Sequence, residues 1–373
     1  MLSDLPDCII LHILSLLNTK DAVQTCILSV RWKDLWKRLP ALVFHISDFR
    51  TIRKFTKFVS KVLSLHDSSL ALQYVDFDNT GPLRPHLIKR VVNYAISHNV
   101  QQLGLCVNCN IPQIPLTLFS SQSLTHLNLS IFNQVLFPKS FNLPSLTNLH
   151  LERFAFCADD NVRAEPFSAF NRLNSLILDS FAVRNTLSLC ISSATLVNFT
   201  TKNYSEDYFE IELLTPSLVT FVFTGRPYQK VFGSDLSYLK HVDIDAVVFS
   251  LEDINPSLLL LSWLLEFENI KSLTVTTSTL QFLSLNSNLL KTKLPSFGNL
   301  KLLKVKKKSL VYSFEWQLME AKLEKMKSRK EAAKLRKSFK AGLEPSAPIP
   351  DGIVDLLIQN SPSAEVEIID YPL

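Results

Sequence analysis

Glycine is scarce in this chain, with only 7 residues among 373. Phosphate-cradling loops need glycines at fixed spacing, and neither G-x-x-x-x-G-K nor G-x-G-x-x-G occurs in the sequence. The six cysteines are too few and too widely spaced for a disulfide scaffold, so we expect free thiols in a reducing compartment. These shortages exclude the common nucleotide-binding enzymes and the small disulfide-rich domains.

Long hydrophobic runs are also missing. The longest apolar stretch, residues 258–265, is interrupted by Ser262 and is far too short to cross a bilayer. The first apolar run follows the acidic residues Asp4 and Asp7 instead of a basic region, so we do not expect a signal peptide. The sequence therefore predicts a protein without a membrane partner that acts in the cytoplasm, the nucleus or both.

Net positive charge is concentrated in one segment. Residues 320–340 hold nine Lys or Arg and three Glu, whereas the whole chain has a net charge of +5, so the rest is close to neutral. A neutral body lacks the broad basic surface of a duplex-DNA reader, and a nucleic-acid partner is not expected. The composition from Glu315 to Lys340 predicts a helix, which is either a plain solvated helix or a nuclear-import or acidic-partner signal.

One C-x-x-C, formed by Cys106 and Cys109, raises the possibility of a metal or redox site. A structural zinc site needs four ligands, and neither a second C-x-x-C nor an H-x-x-x-H accompanies this pair. Two half-buried thiols at the end of a strand are the favoured interpretation, and no cofactor is expected. No Ser/His/Asp or Cys/His arrangement supports catalysis, so a hydrolase is only the rival hypothesis.

Hydrophobic residues make up 47% of the chain, and in its middle they follow a regular spacing, L-x-x-L-x-L with apolar substitutes. The ten copies begin at Leu72, Val100, Leu124, Leu146, Leu173, Leu196, Leu218, Leu239, Ile270 and Leu300. Most of their intervals fall in or near the range of leucine-rich repeats. Each copy predicts a short strand that points its anchors inward, followed by a reversal that lays the next strand in parallel. The sequence therefore predicts an α/β fold in which residues 43–310 form a curved solenoid with a parallel sheet, a protein-binding architecture.

Residues that alternate with the anchors are predicted to line the concave face of this sheet. Acidic residues dominate the middle copies, and we predict that a basic segment of a protein partner binds around His150, Glu152, Asp179, Asp243 and Asp245. In the alternative, these residues are merely solvated, and the protein partner binds the loops or the C-terminal unit. Further predicted concave positions are Asp76, Asp78, His126, Asn128, Asn148, Lys202, His241, Lys304 and Lys306.

Residues 1–42 do not follow the repeat spacing. A first helix is predicted to start around Pro6 and to end before Asn18, a second to be capped by Thr19, and a third to run from near Ser29 to Pro40. Three helices in about forty residues cannot enclose so many large apolar side chains. Part of this apolar surface must therefore meet a partner, unless the segment is an ordinary helical cap on the solenoid.

Three stretches of this segment resemble an F-box: L-P-D-C-I-I-L-H-I-L-S-L-L at 5–17, T-K-D-A-V-Q-T at 19–25 and L-S-V-R-W-K-D-L-W at 28–36. In that family the motif docks onto a Skp-type adaptor and so onto a cullin-RING ubiquitin ligase core. The resemblance implies a set of positions that face the adaptor or form the F-box core, and the sequence does not separate the two roles. They are Leu5, Pro6, Ile9, Ile13, Leu14, Leu17, Val23, Leu28, Trp32 and Trp36.

An F-box followed by leucine-rich repeats resembles a large plant family, whose members often end in an FBD segment. This resemblance implies a non-catalytic subunit that recruits a protein client to an SCF-type ubiquitin ligase. The alternative is a leucine-rich-repeat scaffold that has no part in ubiquitination. Residues 311–373 are expected to hold the basic helix, a Pro-rich linker and an FBD-like unit with a helix near 353–358 and a strand near 364–368.

Overall fold

A computed structural model describes residues 5–67, 69–81, 85–108, 114–138, 141–158, 163–247, 254–284, 297–308 and 349–370, with isolated positions between 328 and 337. The chain divides into two compact units. Unit 1 comprises Met1–Cys157 and Pro166–Phe181, and unit 2 comprises Ala158–Glu165 and Ala182–Leu373. Across the described ranges, no helix has both the length and the apolar character that a membrane crossing requires.

Unit 1 begins with the helices α1 (Asp7–Ser15) and α2 (Thr19–Gln24), both of which the sequence predicted. Asn18 caps α2, because its side-chain oxygen accepts a backbone N–H hydrogen bond at 2.8 Å in the first turn. The expected cap, Thr19, is buried instead, and its hydroxyl oxygen accepts a hydrogen bond from the Val43 N–H at 2.7 Å. This bond ties the helical segment to the first strand of the sheet.

The predicted third helix is wrong in type. The chain forms three 3-10 turns instead, Thr25–Ile27, Val30–Trp32 and Leu35–Arg38. Ser29 is fully extended between the first two turns, with φ −166° and ψ 168°, so an α-helix cannot pass through it. The turns nevertheless bury both tryptophan rings of the segment.

The sheet of unit 1 has six parallel strands that pair in chain order. They are β1 (Ala41–His45), β2 (Tyr74–Asn79), β3 (Gln102–Val107), β4 (His126–Leu136), β5 (Asn148–Cys157) and β6 (Ser175–Asp179). The predicted anchors of β2 to β6 are buried. Strand β1 was not predicted, although Leu39, Leu42 and Phe44 repeat the same spacing and are buried as well.

Helices α3 (Ile52–Leu65) and α4 (Pro85–Ser97) follow β1 and β2, and a 3-10 turn at Leu116–Ser120 follows β3. Both helices are amphipathic, so each buries one stripe of apolar side chains and leaves its polar side in water. The buried stripe of α3 consists of Phe55, Val59, Val62 and Leu63.

Unit 2 contains the remaining predicted strands, and their anchors are also buried, including the polar Thr201. Its main parallel sheet has the order β9-β11-β13-β14-β15-β16. These strands are β9 (Asn198–Asn203), β11 (Thr220–Gly225), β13 (His241–Ala246), β14 (Ser272–Thr276), β15 (Leu302–Lys307) and β16 (Glu365–Asp370). The prediction of an α/β fold with a parallel sheet is confirmed.

A second parallel sheet in unit 2, of order β12-β10-β8, was not predicted. Its strands lie between the repeat copies: β8 (Ser188–Ser192), β10 (Glu210–Leu214) and β12 (Lys230–Gly233), after the short β7 (Ala182–Arg184). Helix α5 (Ile254–Glu266) joins this sheet through Trp263, whose Nε1 donates a hydrogen bond to the Gln229 carbonyl at 2.9 Å. The return segments of these repeats therefore form strands and not only helices.

Two more helices complete unit 2, α6 (Thr277–Ser284) and α7 (Ile353–Ile358). Helix α7 and strand β16 are the predicted C-terminal helix and strand, and β16 pairs in parallel with β15. Most of the predicted basic helix from Glu315 to Lys340 lies outside the described residues, and so does Cys109.

His66 connects three parts of unit 1 at the end of α3. Its Nε2–H donates a hydrogen bond to the Leu39 carbonyl at 2.8 Å, and its Nδ1 accepts one from the Tyr94 hydroxyl at 2.8 Å. Burial lowers the pKa of His66 from its ordinary value of 6.5, because a charged imidazole would lose its hydration. The neutral ring is therefore the form that the native structure selects.

We predict that His66→Gln reduces the acid sensitivity of the fold. As the pH falls below 6.5, the unfolded chain binds a proton at this position before the folded chain does, so wild-type stability falls there and is fully present above it. Urea unfolding between about pH 5 and about pH 7.5 measures the slope. The variant should show a shallower dependence on pH, and His12→Gln, on the exposed side of α1, should keep the wild-type slope. Equal slopes for His66→Gln and wild type would contradict this.

Candidate functional site

The N-terminal segment leaves six large aliphatic side chains exposed between residues 9 and 30. We call them the N-terminal apolar surface: Ile9, Leu16, Leu17, Ile27, Leu28 and Val30. Three of them stand almost entirely in water, since Leu16 is 75%, Ile27 84% and Val30 90% exposed. Apolar groups exposed at this density mark a surface that binds a partner.

The local structure explains why these side chains face water. In α1 the residues Ile10 and Leu14, four positions apart, form the buried stripe, which leaves Ile9 on the outside. In the turn Val30–Trp32 only the tryptophan is buried. The segment thus commits one set of apolar residues to its interior and a second set to its surface.

The structure separates the roles that the sequence left open. Leu14, Trp32 and Trp36 are buried, so these three belong to the F-box-like interior and not to its outer face. Pro6, Ile9, Leu17 and Leu28 are exposed, and Leu5, Ile13 and Val23 are half-buried. Sequence reasoning missed Leu16, Ile27 and Val30. The signal that identifies them is that they do not fit the helical spacing of the buried set.

Asp7 holds the two parts of this segment together. Its Oδ1 accepts hydrogen bonds from Arg31 Nη2 at 2.7 Å and Nε at 3.2 Å, and its Oδ2 lies 3.7 Å from Arg38 Nη1. These groups are exposed, so the pairs add little stability, on the order of 1 kcal/mol or less. Their effect is to orient the start of α1 against the 3-10 turns, and with it the N-terminal apolar surface.

A second feature is a groove of about 320 Å³ on the strand face of unit 1. Gly104 forms its floor between Asp76 and Asn128, which are its register neighbours on β2 and β4. A Cβ added to Gly104 would lie 2.3 Å from Asp76 Oδ1, so this carboxylate occupies the space that a side chain would fill. Glycine is required here by that close approach.

The Asp76 carboxylate is held from both sides. His45 Nε2–H donates a hydrogen bond to its Oδ2 at 2.9 Å. Burial, the charge of this carboxylate and a hydrogen bond to it raise the pKa of Tyr74 to about 12, so the phenol stays protonated. The groove therefore contains a fixed negative charge beside a neutral hydroxyl.

The predicted client-binding residues of unit 1 occupy this same strand face. His150 lines the groove. Glu152 accepts a hydrogen bond from the Ser130 hydroxyl and pairs with Arg153 at 3.1 Å, and Asp179 is its register neighbour on β6.

Cys106 lies on the strand face of unit 1, and burial raises the pKa of its thiol. Among the residues that the structure describes, no group of three or more His, Cys, Asp or Glu is arranged to hold a metal ion.

The strand face of unit 2 has a different electrostatic character. Lys306 Nζ lies 2.7 Å from Asp243 Oδ2, and Lys308 Nζ lies 2.6 Å from Asp245 Oδ2. These lysines are on or just after β15 and reach past β14 to the carboxylates of β13. The expected acidic surface at Asp243 and Asp245 is therefore corrected, because both charges are neutralised within the sheet.

Comparison with known proteins fits this arrangement of a helical segment and parallel repeat strands. Residues 2–43 match the F-box domain family. An F-box/FBD/LRR-repeat protein of Arabidopsis thaliana is 27% identical over 348 residues, covering 87% of this chain and 74% of the relative. F-box/LRR-repeat protein 13 of the same plant is 27% identical over 341 residues, again 87% and 74%. An FBD-associated F-box protein is 27% identical over 320 residues, covering 80% of this chain and 75% of that protein.

An exposed apolar helical segment that matches the F-box domain is joined here to parallel repeat strands. Along most of its length the chain is similar to plant F-box/leucine-rich-repeat proteins, and these similarities support a plant F-box/leucine-rich-repeat family.

We predict that Trp32→Ala destabilises the fold and does not act on a docking surface alone. The indole is 3% exposed, and truncating a buried aromatic side chain costs about 3–5 kcal/mol. Val30→Ala, at the most exposed position of the same turn, should change the free energy of unfolding by less than about 0.5 kcal/mol. Urea unfolding followed by circular dichroism compares the two variants. Equal losses, or a stable Trp32→Ala variant, would contradict the assignment of Trp32 to the interior.

A double-mutant cycle tests the ion pair of unit 2. Asp243→Asn, Lys306→Gln and their combination should give a coupling energy of about 0.2–1 kcal/mol at low salt, since both side chains are about one-third exposed. The coupling should shrink in about 1 M salt because screening weakens exposed pairs. A coupling of zero at low salt would show that the pair does not neutralise this face.

Proposed function

We propose that this protein is a non-catalytic subunit of an SCF-type cullin-RING ubiquitin ligase that recruits the client protein. In this proposal the N-terminal apolar surface docks a Skp-type adaptor, which connects the chain to the ligase core, and the strand faces bind the client. The observation that carries the proposal is the exposure of six aliphatic side chains in the segment that matches the F-box family.

The energetics of this surface suit a stable complex. Fully burying one aliphatic side chain is worth about 1.5–3 kcal/mol. Six such groups offset an association cost of about 4–15 kcal/mol, and a few well-buried anchors dominate most interfaces. The interior behind them is ordered by Trp32 and Leu14, so the surface is pre-organised for binding.

The repeat strands supply a second surface on the same chain. Alternate residues of each strand face outward, so unit 1 presents polar side chains from six neighbouring strands. Repeat proteins use such surfaces to bind other proteins. A docking segment and a client surface on one polypeptide are the two elements that a recruiting subunit needs.

We also propose that the protein acts in the cytoplasm or the nucleus. The five cysteines within the described ranges are all free, and free thiols suit a reducing compartment.

Co-purification with a Skp-type adaptor tests the proposal. Wild-type protein should retain the adaptor, and the double variant Ile27→Asp and Val30→Asp should lose it, since each carboxylate would be buried without a partner in the interface. Both positions are exposed in the free chain, so the fold should be unchanged by circular dichroism.

Leu116→Asp provides the matched control for this experiment. Leu116 is 72% exposed in unit 1 but lies outside the F-box match, so this variant should bind the adaptor like wild type. Failure of the wild-type protein to bind, under conditions in which other F-box proteins bind, would favour the leucine-rich-repeat scaffold. Binding by the double variant would place the docking surface elsewhere.

A further inference from the structure

The groove over Gly104 lies on the strand face of unit 1, the face that we propose binds the client. Register places Asp76, Gly104, Asn128 and His150 side by side on four successive strands, β2 to β5. Neighbouring strands are about 4.8 Å apart, and the missing side chain at Gly104 lets the Asp76 carboxylate lie in the space between β2 and β4. A volume of about 320 Å³ is at the lower end of the range of ligand sites and is enough for one long side chain.

The chemistry of the lining selects a cation. Asp76 is the one carboxylate among the described lining residues, and none of them is Lys or Arg. Its Oδ1 lies against Gly104, while its Oδ2 accepts the hydrogen bond from His45. A phosphate or carboxylate would meet this negative charge without a counter-ion, so an anionic client segment is disfavoured.

The remaining lining residues favour a planar cation over a compact one. The imidazoles of His126 and His150 and the phenol of Tyr74 supply flat ring faces, and the hydroxyl of Thr125 bonds His126 Nδ1 at 2.9 Å and so holds that ring. A guanidinium stacks on aromatic faces and donates in a fixed fork to a carboxylate, whereas an ammonium does neither as well. Side-chain amides such as Asn128 offer further acceptor oxygens.

We propose that this groove binds one arginine side chain of an extended client segment, with Asp76 as its counter-ion. The proposal deepens the client-binding part of the proposed function and rests on it. It places the cationic contact in unit 1 and not at Asp243 or Asp245, where lysines of the same sheet already neutralise the carboxylates. The role of Gly104 is then to keep the Asp76 carboxylate accessible from solvent.

Peptide binding to the purified full-length protein tests this proposal. The probes are fluorescent nonapeptide libraries with randomised flanks and a central Arg, Lys, citrulline or phosphoserine, measured by anisotropy. Citrulline matters most, because it keeps the shape of arginine and removes its charge. We expect the Arg library to bind at least about tenfold more tightly than the citrulline library, and the phosphoserine library to bind weakest.

Two variants and one control locate the contact. Asp76→Asn removes the charge with little change in shape, and Asn128→Trp fills the groove from an exposed position without disturbing the anchors. Both should abolish the preference for Arg over citrulline, while Asp243→Asn should retain it. If Asp76→Asn does not fold, the Asn128→Trp variant still tests whether the preference for Arg depends on this groove. A preference for Arg that survives Asn128→Trp, or equal binding of Arg and citrulline, would overturn the proposal.

Free L-arginine distinguishes a client segment from a small ligand. If it displaces the Arg peptides at concentrations equal to theirs, the site binds a small guanidinium compound and the proposal of a client segment fails. Adaptor co-purification is read separately from these assays. Loss of adaptor binding with an intact Arg preference would refute the ligase role alone, and the reverse result would refute only the arginine site.

Discussion

The structure depends on one constraint, which is that the inward anchors of a strand have no core of their own and are buried only against the anchors of the next strand. Leu103 shows this, since it lies in register between Val75 and Leu127 and all three are buried. A slip of one residue would turn a whole row of anchors to water. Parallel pairing and register are therefore consequences of burial, and they hold the outward residues in fixed rows.

The outward-facing residues do not have to pack into a core. The strand faces of the two units therefore differ in chemistry although both are built from parallel strands of the same repeat. In unit 1 a residue without a side chain, Gly104, makes room for the carboxylate of Asp76 in the lining of a groove. In unit 2 the equivalent freedom is used by lysines such as Lys306, which cancel the acidic residues of β13. The missing Cβ of Gly104 leaves the carboxylate on the strand face of unit 1 available to a ligand. The long cationic side chain of Lys306 pairs with a carboxylate on the strand face of unit 2.

Most strands of the main sheets could be predicted because their anchors, apart from Thr201, are apolar and recur at a short spacing. Strand β1 was missed because Leu42 and Phe44 follow directly on a segment whose tryptophans indicated helices. The character of the faces was harder to predict, since Asp243 is paired with Lys306, 63 residues further along the chain. Only the register of three strands brings these charges together, and no local pattern contains that information. Short strands such as β8 were not predicted, because they lie between the repeat copies and their residues are not part of the repeat spacing.

The N-terminal segment meets the opposite constraint, since about forty residues cannot bury enough apolar surface to fold alone. It is attached to the sheet through the hydroxyl of Thr19, and to helices α3 and α4 through the imidazole of His66. The stability of unit 1 thus supports a small interior built around Trp32. Val30 and its exposed neighbours are not needed for that interior, so they are available to a partner. The F-box motif mixes both kinds of residue in one short stretch, and it is the attachment to the repeats that allows a segment this small to hold so much apolar surface in water.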